Sequence, residues 1–71
     1  MDFDTVKDEV FKIMVNTKEP IAEDDIIRQI FSNFEHDRLL MWTCSSLRAL
    51  KFEGIIDCFG IFHNRYWRVI E

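Results

Sequence analysis

Apolar residues near the start of the chain recur three or four positions apart, which is the spacing of one helical face. They are Phe3, Val6, Val10, Ile13 and Met14. Asp2 or Asp4 can cap the start of such a helix, because a short carboxylate accepts the free amide hydrogens of a first turn. We therefore predict a first helix that ends near Asn16.

Pro20 breaks this pattern, since the residue before a proline is pushed out of the helical region. Ile21 is then predicted to be a short extended anchor, followed by a second helix that opens with Glu23, Asp24 and Asp25. Acids in a first turn complement the helix dipole, and we prefer that interpretation to a metal or acid/base cluster. The inward positions of this helix are predicted to be Ile26, Ile27, Ile30 and Phe31.

Residues 32–35 are predicted to be a turn, and a third helix is predicted over residues 37–53, ended by Gly54. After Gly54 the pattern changes to β-branched and aromatic residues, which favours strands at residues 55–62 and 66–70. His63, Asn64 and Arg65 are the predicted hairpin tip. The predicted fold is mainly α with a small β-hairpin, in one domain covering residues 1–71.

Composition agrees with a single folded domain, because 48% of the 71 residues are hydrophobic and only two are glycine. No apolar run is long enough to span a membrane. The first residues, Met1-Asp2-Phe3-Asp4, do not resemble a secretory leader. We expect a soluble cytoplasmic protein.

The two cysteines, Cys44 and Cys58, fall within the predicted third helix and first hairpin strand. A small apolar side chain suits both places, so we expect buried free thiols in a reducing compartment. Together with His36 and His63 they match no zinc-binding spacing. We expect no metal and no other cofactor.

Charge is distributed unevenly along the chain, whose formal net charge is −4. Residues 1–37 contain ten acids and four bases, a net of −6, whereas residues 38–71 contain five bases and three acids, a net of +2. A strongly basic surface over the whole molecule is thereby excluded. Any contact with nucleic acid is expected in the second half.

Residues 45–56 resemble the end of the recognition helix and the first wing strand of winged helix-turn-helix transcription regulators. Ser45, Leu47, Leu50 and Gly54 followed by two isoleucines carry this resemblance. It implies three helices followed by a two-stranded wing, and duplex DNA as the partner. The residues it places at the DNA are Arg38, Trp42, Ser45, Ser46, Arg48 and Lys51 around the third helix, with Arg65 and Arg68 on the wing.

A helical projection centred on Leu47 tests which side of the third helix faces outward. It predicts Leu40, Thr43, Cys44 and Leu50 on the core side, with Lys51 near it. The outward side then holds Arg38, Met41, Trp42, Ser45, Ala49 and Phe52. Met41, Trp42 and Phe52 are unusual for a surface that binds DNA, and are typical of a protein interface or of side chains covered by a neighbouring element.

Two functions therefore remain open. The first is a small DNA-binding regulator, for which a homodimer is one arrangement. The second is an acidic protein-interaction module, an accessory subunit or inhibitor of a nucleic-acid enzyme, that uses Met41, Trp42 and Phe52. We do not expect an enzyme, because the sequence has no recognisable nucleophile with its base and no glycine loop for phosphate.

Overall fold

The computed structural model describes residues 1–61 and 64–70. The helices are α1 (Phe3–Asn16), α2 (Glu23–Asn33) and α3 (Leu39–Phe52), and the strands are β1 (Ile21–Ala22), β2 (Ile56–Ile61) and β3 (Asn64–Val69). The strands form one antiparallel sheet in the order β1-β3-β2. The described chain thus combines three helices with a three-stranded sheet.

Helix α1 begins and ends where the sequence predicts. Asp2 is the N-cap, and its carboxylate accepts hydrogen bonds from the backbone amide and the hydroxyl of Thr5, at 3.0 and 2.9 Å. These hydrogen bonds lower the pKa of Asp2, because they favour its charged form. The four buried residues of α1 are among those predicted: Val6, Val10, Ile13 and Met14.

Helix α2 runs further than predicted, to Asn33. Ser32 lies inside the helix and donates a hydrogen bond from its hydroxyl to the carbonyl of Arg28, so its polar group does not end the helix. Ile26 and Ile30 are buried as predicted, and Ile27 is half-buried. Phe31 is exposed, and its predicted inward position is wrong.

Helix α3 buries a face that differs from the predicted one. The buried residues are Leu39, Thr43, Ser46, Leu47 and Leu50. At about 100° per residue their centre lies about 55° from Leu47, so Leu47 is at the edge of the core face and not at its centre. Consequently Leu40, predicted to be in the core, is 53% exposed, Lys51 is exposed, and Cys44 is only half-buried.

Gly54 ends α3 as the sequence predicts. Its φ is +79°, the left-handed conformation that glycine adopts most easily. The amide of Ile55 donates to the carbonyl of Leu50, and the amide of Gly54 donates to that of Lys51, both at 3.0 Å. This pair of bonds is a Schellman motif, which satisfies carbonyls left free at the helix end.

The sheet has one strand more than the predicted two-stranded wing. Ile21 and Ala22, predicted only as an extended anchor, pair with Trp67 and Tyr66 of β3. Pairing with these two residues satisfies the edge of β3 on the side away from β2.

Strand β3 begins closer to the hairpin turn than predicted. Ile61 pairs with Asn64, and Gly60 pairs with Arg65, so Asn64 and Arg65 lie within β3 and not at the hairpin tip. His63, the first residue of the predicted tip, and Phe62, the last residue of the first predicted strand, lie outside the described residues.

The hydrophobic core lies between the helices and one face of the sheet. Buried side chains of all three helices meet Ile56 of β2 and Trp67 of β3 there. No helix within residues 1–61 and 64–70 is long and apolar enough to cross a membrane.

Candidate interface on the third helix and the hairpin

The outward face of α3 is formed by Met41, Arg48 and Phe52. These residues lie within about 25° of the direction opposite to the core face. Met41 is 53% exposed, Phe52 is 94% exposed, and Arg48 is exposed between them. Ser45, on the same side, is half-buried. This outward face therefore combines one cation with two large apolar side chains.

Three bases of α3 and its start are accessible, as the proposed contact with DNA requires. Arg38, Arg48 and Lys51 are all exposed. None of them forms an ion pair with another residue of the described chain. Arg38 is the N-cap of α3, and its carbonyl accepts the amide of Trp42 at 2.9 Å.

Trp42 is half-buried and packs against the core, so the prediction that it faces outward needs correction. Its ring stacks on that of His36, with ring centroids 4.5 Å apart and an interplanar angle of 25°. His36 is itself held in place, since its Nδ1 accepts the amide of Arg38 at 3.1 Å. The stack orders the start of α3, a role for His36 that the sequence analysis missed.

Ser46 was predicted to face DNA, but its side chain is completely buried. Its hydroxyl donates a hydrogen bond to the carbonyl of Trp42 at 2.6 Å. A side chain in this position has no access to a ligand. Ser46 belongs to the core face of α3.

Arg65 lies on the core-facing side of β3, where its guanidinium is 3.4 Å from a carboxylate oxygen of Glu23. The other oxygen of Glu23 accepts the indole N–H of the buried Trp67 at 3.1 Å. Glu23 therefore joins the start of α2 to β3, beyond its predicted role as a dipole complement. The sequence offered one sign of this role. Glu23 is the first residue of α2, and the residue before it, Ala22, has no side chain that could cap the helix.

Arg68 points away from the core, because it alternates along β3 with the buried Trp67. Its side chain is exposed, and its guanidinium carbon lies 5.3 Å from the ring centroid of Phe59. Arg65 and Arg68 thus lie on opposite faces of the sheet, and only Arg68 is free of an ion pair within the described chain.

Cys44 lies between the outward face of α3 and the hairpin. Burial raises the pKa of its thiol, as does the nearby charge of Glu23, while Arg48 and Arg65 act in the opposite direction. Cys44 and Cys58 are both free thiols, as predicted. They are half-buried, whereas the prediction was that both are buried. Within residues 1–61 and 64–70, no three His, Cys, Asp or Glu side chains are grouped so as to hold a metal ion.

Charge is segregated between the elements of the fold. Helix α3 and strand β3 each contain two bases and no acid. By contrast, α1 contains three acids and two bases, and α2 three acids and one base. Glu53, next to the end of α3, is paired with Lys7 at 2.6 Å. The positive charge of this acidic chain is therefore concentrated on α3 and β3.

Comparison of the chain with protein-family models, curated proteins and solved structures found no match.

Proposed function

We propose that the chain is a winged-helix domain that binds duplex DNA through α3 and acts as a small transcriptional regulator. The order of elements, with a hairpin directly after the third helix, supports this assignment. The third strand, β1, departs from the two-stranded wing that the resemblance implies, and it ties the segment before α2 to the hairpin. The resemblance of residues 45–56 to recognition helices is the remaining support.

The segregation of charge is the observation that carries the proposal. A chain of net charge −4 repels DNA overall, and binding requires a surface free of carboxylates. Helix α3 offers such a surface, since its own residues include no acid and Glu53, which directly follows it, is paired with Lys7. The acidic α1 and α2 then disfavour binding in other orientations.

Within α3, Arg48 is the proposed central contact. It lies in the middle of the outward face, where an arginine in the major groove reaches the O6 and N7 atoms of guanine or a phosphate. Arg38 and Lys51 are separated by about 20 Å along the helix, and we assign them to phosphates on either side of the groove. Ser45, half-buried beside this face, is an auxiliary contact.

The hairpin contributes less than the resemblance implies. Arg65 is engaged by Glu23, so it adds little to phosphate binding unless that ion pair opens. Arg68 is free within the described chain and is the basic hairpin residue that we assign to DNA.

A protein partner is the second candidate, and the exposure of Phe52 and Met41 favours it. Large apolar side chains exposed to 94% and 53% on one helix face are typical of a protein contact. In this alternative, the partner covers Phe52 and Met41, and Trp42 serves mainly to order the helix beneath them. The chain would then be an accessory subunit or inhibitor.

The salt dependence of duplex binding tests the proposal. Four accessible bases, Arg38, Arg48, Lys51 and Arg68, neutralise about three to four phosphates, so log affinity is expected to fall against log salt with a slope of about −3 to −4 per monomer. Arg48→Ala should make this slope shallower by about one. Lys12→Ala is the matched control, because Lys12 is an exposed base of α1. It should leave both affinity and slope nearly unchanged.

Absence of duplex binding at low salt would overturn the DNA proposal, as would equal effects of Arg48→Ala and Lys12→Ala. Phe52→Ala tests whether the exposed ring of α3 contributes to duplex binding, as it would to binding a protein partner. If DNA is the ligand, loss of this ring changes duplex affinity little, since the contact is electrostatic.

A further inference from the structure

The side of the sheet that faces away from the helices is uncovered. We call it the outer sheet face and define it by Asp57, Phe59 and Ile61 of β2 and Asn64, Tyr66 and Arg68 of β3, which alternate with the core-facing positions. Asp57 is the cross-strand partner of Arg68 on this face. Phe59 and Tyr66 are each 41% exposed, and Ile61 is 74% exposed. The helices pack on the opposite face, where Ile56 and Trp67 are buried among residues of all three helices.

Two aromatic rings and a cation are ordered on the outer sheet face. The rings of Phe59 and Tyr66, which are paired across the strands, lie 5.8 Å apart with an interplanar angle of 18°. The guanidinium carbon of Arg68 lies 5.3 Å from the Phe59 centroid. Nearly parallel rings held by a sheet are pre-ordered for stacking with a flat ligand, at little cost in side-chain entropy.

Arg68 also lines an open cleft of about 880 Å³ next to these rings. Lys18, from the loop after α1, lines the same cleft, with Val15 and Ile70 as apolar walls. Neither Lys18 nor Arg68 has an ion-pair partner in the described chain. Among the described residues, the cleft lining includes one acid, Asp57, whose carboxylate accepts the amide of Cys58 at 2.8 Å. The described lining, with Lys18 and Arg68 against Asp57, thus has one positive charge in excess beside an aromatic pair.

We propose that the outer sheet face binds single-stranded DNA. Unpaired bases stack on Tyr66 and Phe59, and the phosphates of the strand lie against Arg68 and Lys18 in the cleft. Charge complementarity supports a polyanion, and the ordered rings support unpaired bases, since a duplex hides its base faces. The choice of DNA over RNA rests on the proposed function, which makes DNA the polymer bound by α3.

Fluorescence anisotropy with a labelled dT12 oligonucleotide tests this site. The full chain should bind dT12 at low salt, and Tyr66→Ala should weaken binding about 10-fold, as expected when a stacked base is lost. Tyr66→Phe keeps the ring and should bind like the original protein. Phe52→Ala is the matched control, because it removes a more exposed ring from α3, and it should have no effect on dT12. Thermal melts establish that each variant remains folded.

The inference is wrong if dT12 does not bind at low salt, if Tyr66→Phe weakens binding as much as Tyr66→Ala, or if rU12 binds more tightly than dT12. Sedimentation that shows a dimer lost on Tyr66→Ala would also overturn it, because a second copy would then cover the face. Arg48→Ala distinguishes a failure of this site from a failure of the proposed function. It should weaken duplex binding and leave dT12 binding intact, because Arg48 lies on α3 and only Arg68 is shared by the two proposed contacts.

Discussion

Both glycines of the chain adopt positive φ, and they differ in what surrounds them. Gly54 has a φ of +79° and open space where a Cβ would lie. Gly60 has a φ of +100°, and a Cβ there would overlap the backbone carbonyl oxygen of Asn64 across the hairpin. The sequence identified Gly54 from its place at a helix end, but gave no sign that Gly60 permits a close approach of two strands.

This difference predicts unequal effects of alanine at the two sites. Gly54→Ala incurs only backbone strain, and should lower the free energy of unfolding by about 1 to 2 kcal/mol. Gly60→Ala adds a steric overlap with backbone that has little room to shift, and should cost at least about 1 kcal/mol more. Thermal unfolding of both variants measures this. Equal losses, or a greater loss for Gly54→Ala, would contradict the hairpin geometry.

Two side-chain contacts of the folded chain were not predicted from the sequence pattern. The bond between Glu23 and Trp67 joins residues 44 positions apart, and such a pairing depends on the tertiary fold. His36 is similar, since its stacking on Trp42 depends on the turn before α3. Local patterns report helical faces and turn residues, and they carry no information on which distant side chains meet.

At the scale of elements, the buried face of α1 and the strand character of β2 and β3 follow from spacing and residue type. The predicted rotation of α3 about its axis was wrong by about 55°. A helical projection needs a chosen centre for the buried face, and Leu47, which was chosen, lies at the edge of that face. Small polar residues, Thr43 and Ser46, lie on the core face. The projection did place Thr43 on the core side, but its choice of centre placed Leu40 there as well. Ser46 was assigned to DNA by the resemblance to recognition helices and not by the projection.

The rotation of α3 is testable by truncating two leucines. Leu47→Ala removes a fully buried side chain and should lower the free energy of unfolding by about 2 to 4 kcal/mol through lost burial and a cavity. Leu40→Ala removes a side chain that is 53% exposed and should cost no more than about 0.5 kcal/mol. Denaturant unfolding compares them. A large cost at Leu40 would mean that the sequence-based rotation was right and the observed one wrong.

In the folded molecule, charge is divided between elements in a way that the two halves of the sequence did not indicate, since α1 and α2 carry acids and α3 carries none. The sequence gradient predicted bases in the second half, but it did not predict that Glu53 would be paired with Lys7 or Arg65 with Glu23. Among residues 1–61 and 64–70, Arg38, Arg48 and Lys51 form no ion pair and lie around one helix whose own residues include no acid. That separation is why α3, and not the acidic α1 or α2, is the proposed contact with DNA.

The central claim is that duplex DNA lies against the outward face of α3. Titration of the ¹⁵N-labelled protein with a short duplex at low salt, followed by two-dimensional amide NMR spectra, tests it most directly. If DNA lies against this face, the largest shift changes fall on Met41, Ser45, Arg48 and Phe52, while α1 amides such as Lys12 stay unchanged. Changes confined to α1 and α2, or none at all at saturating duplex, would contradict it.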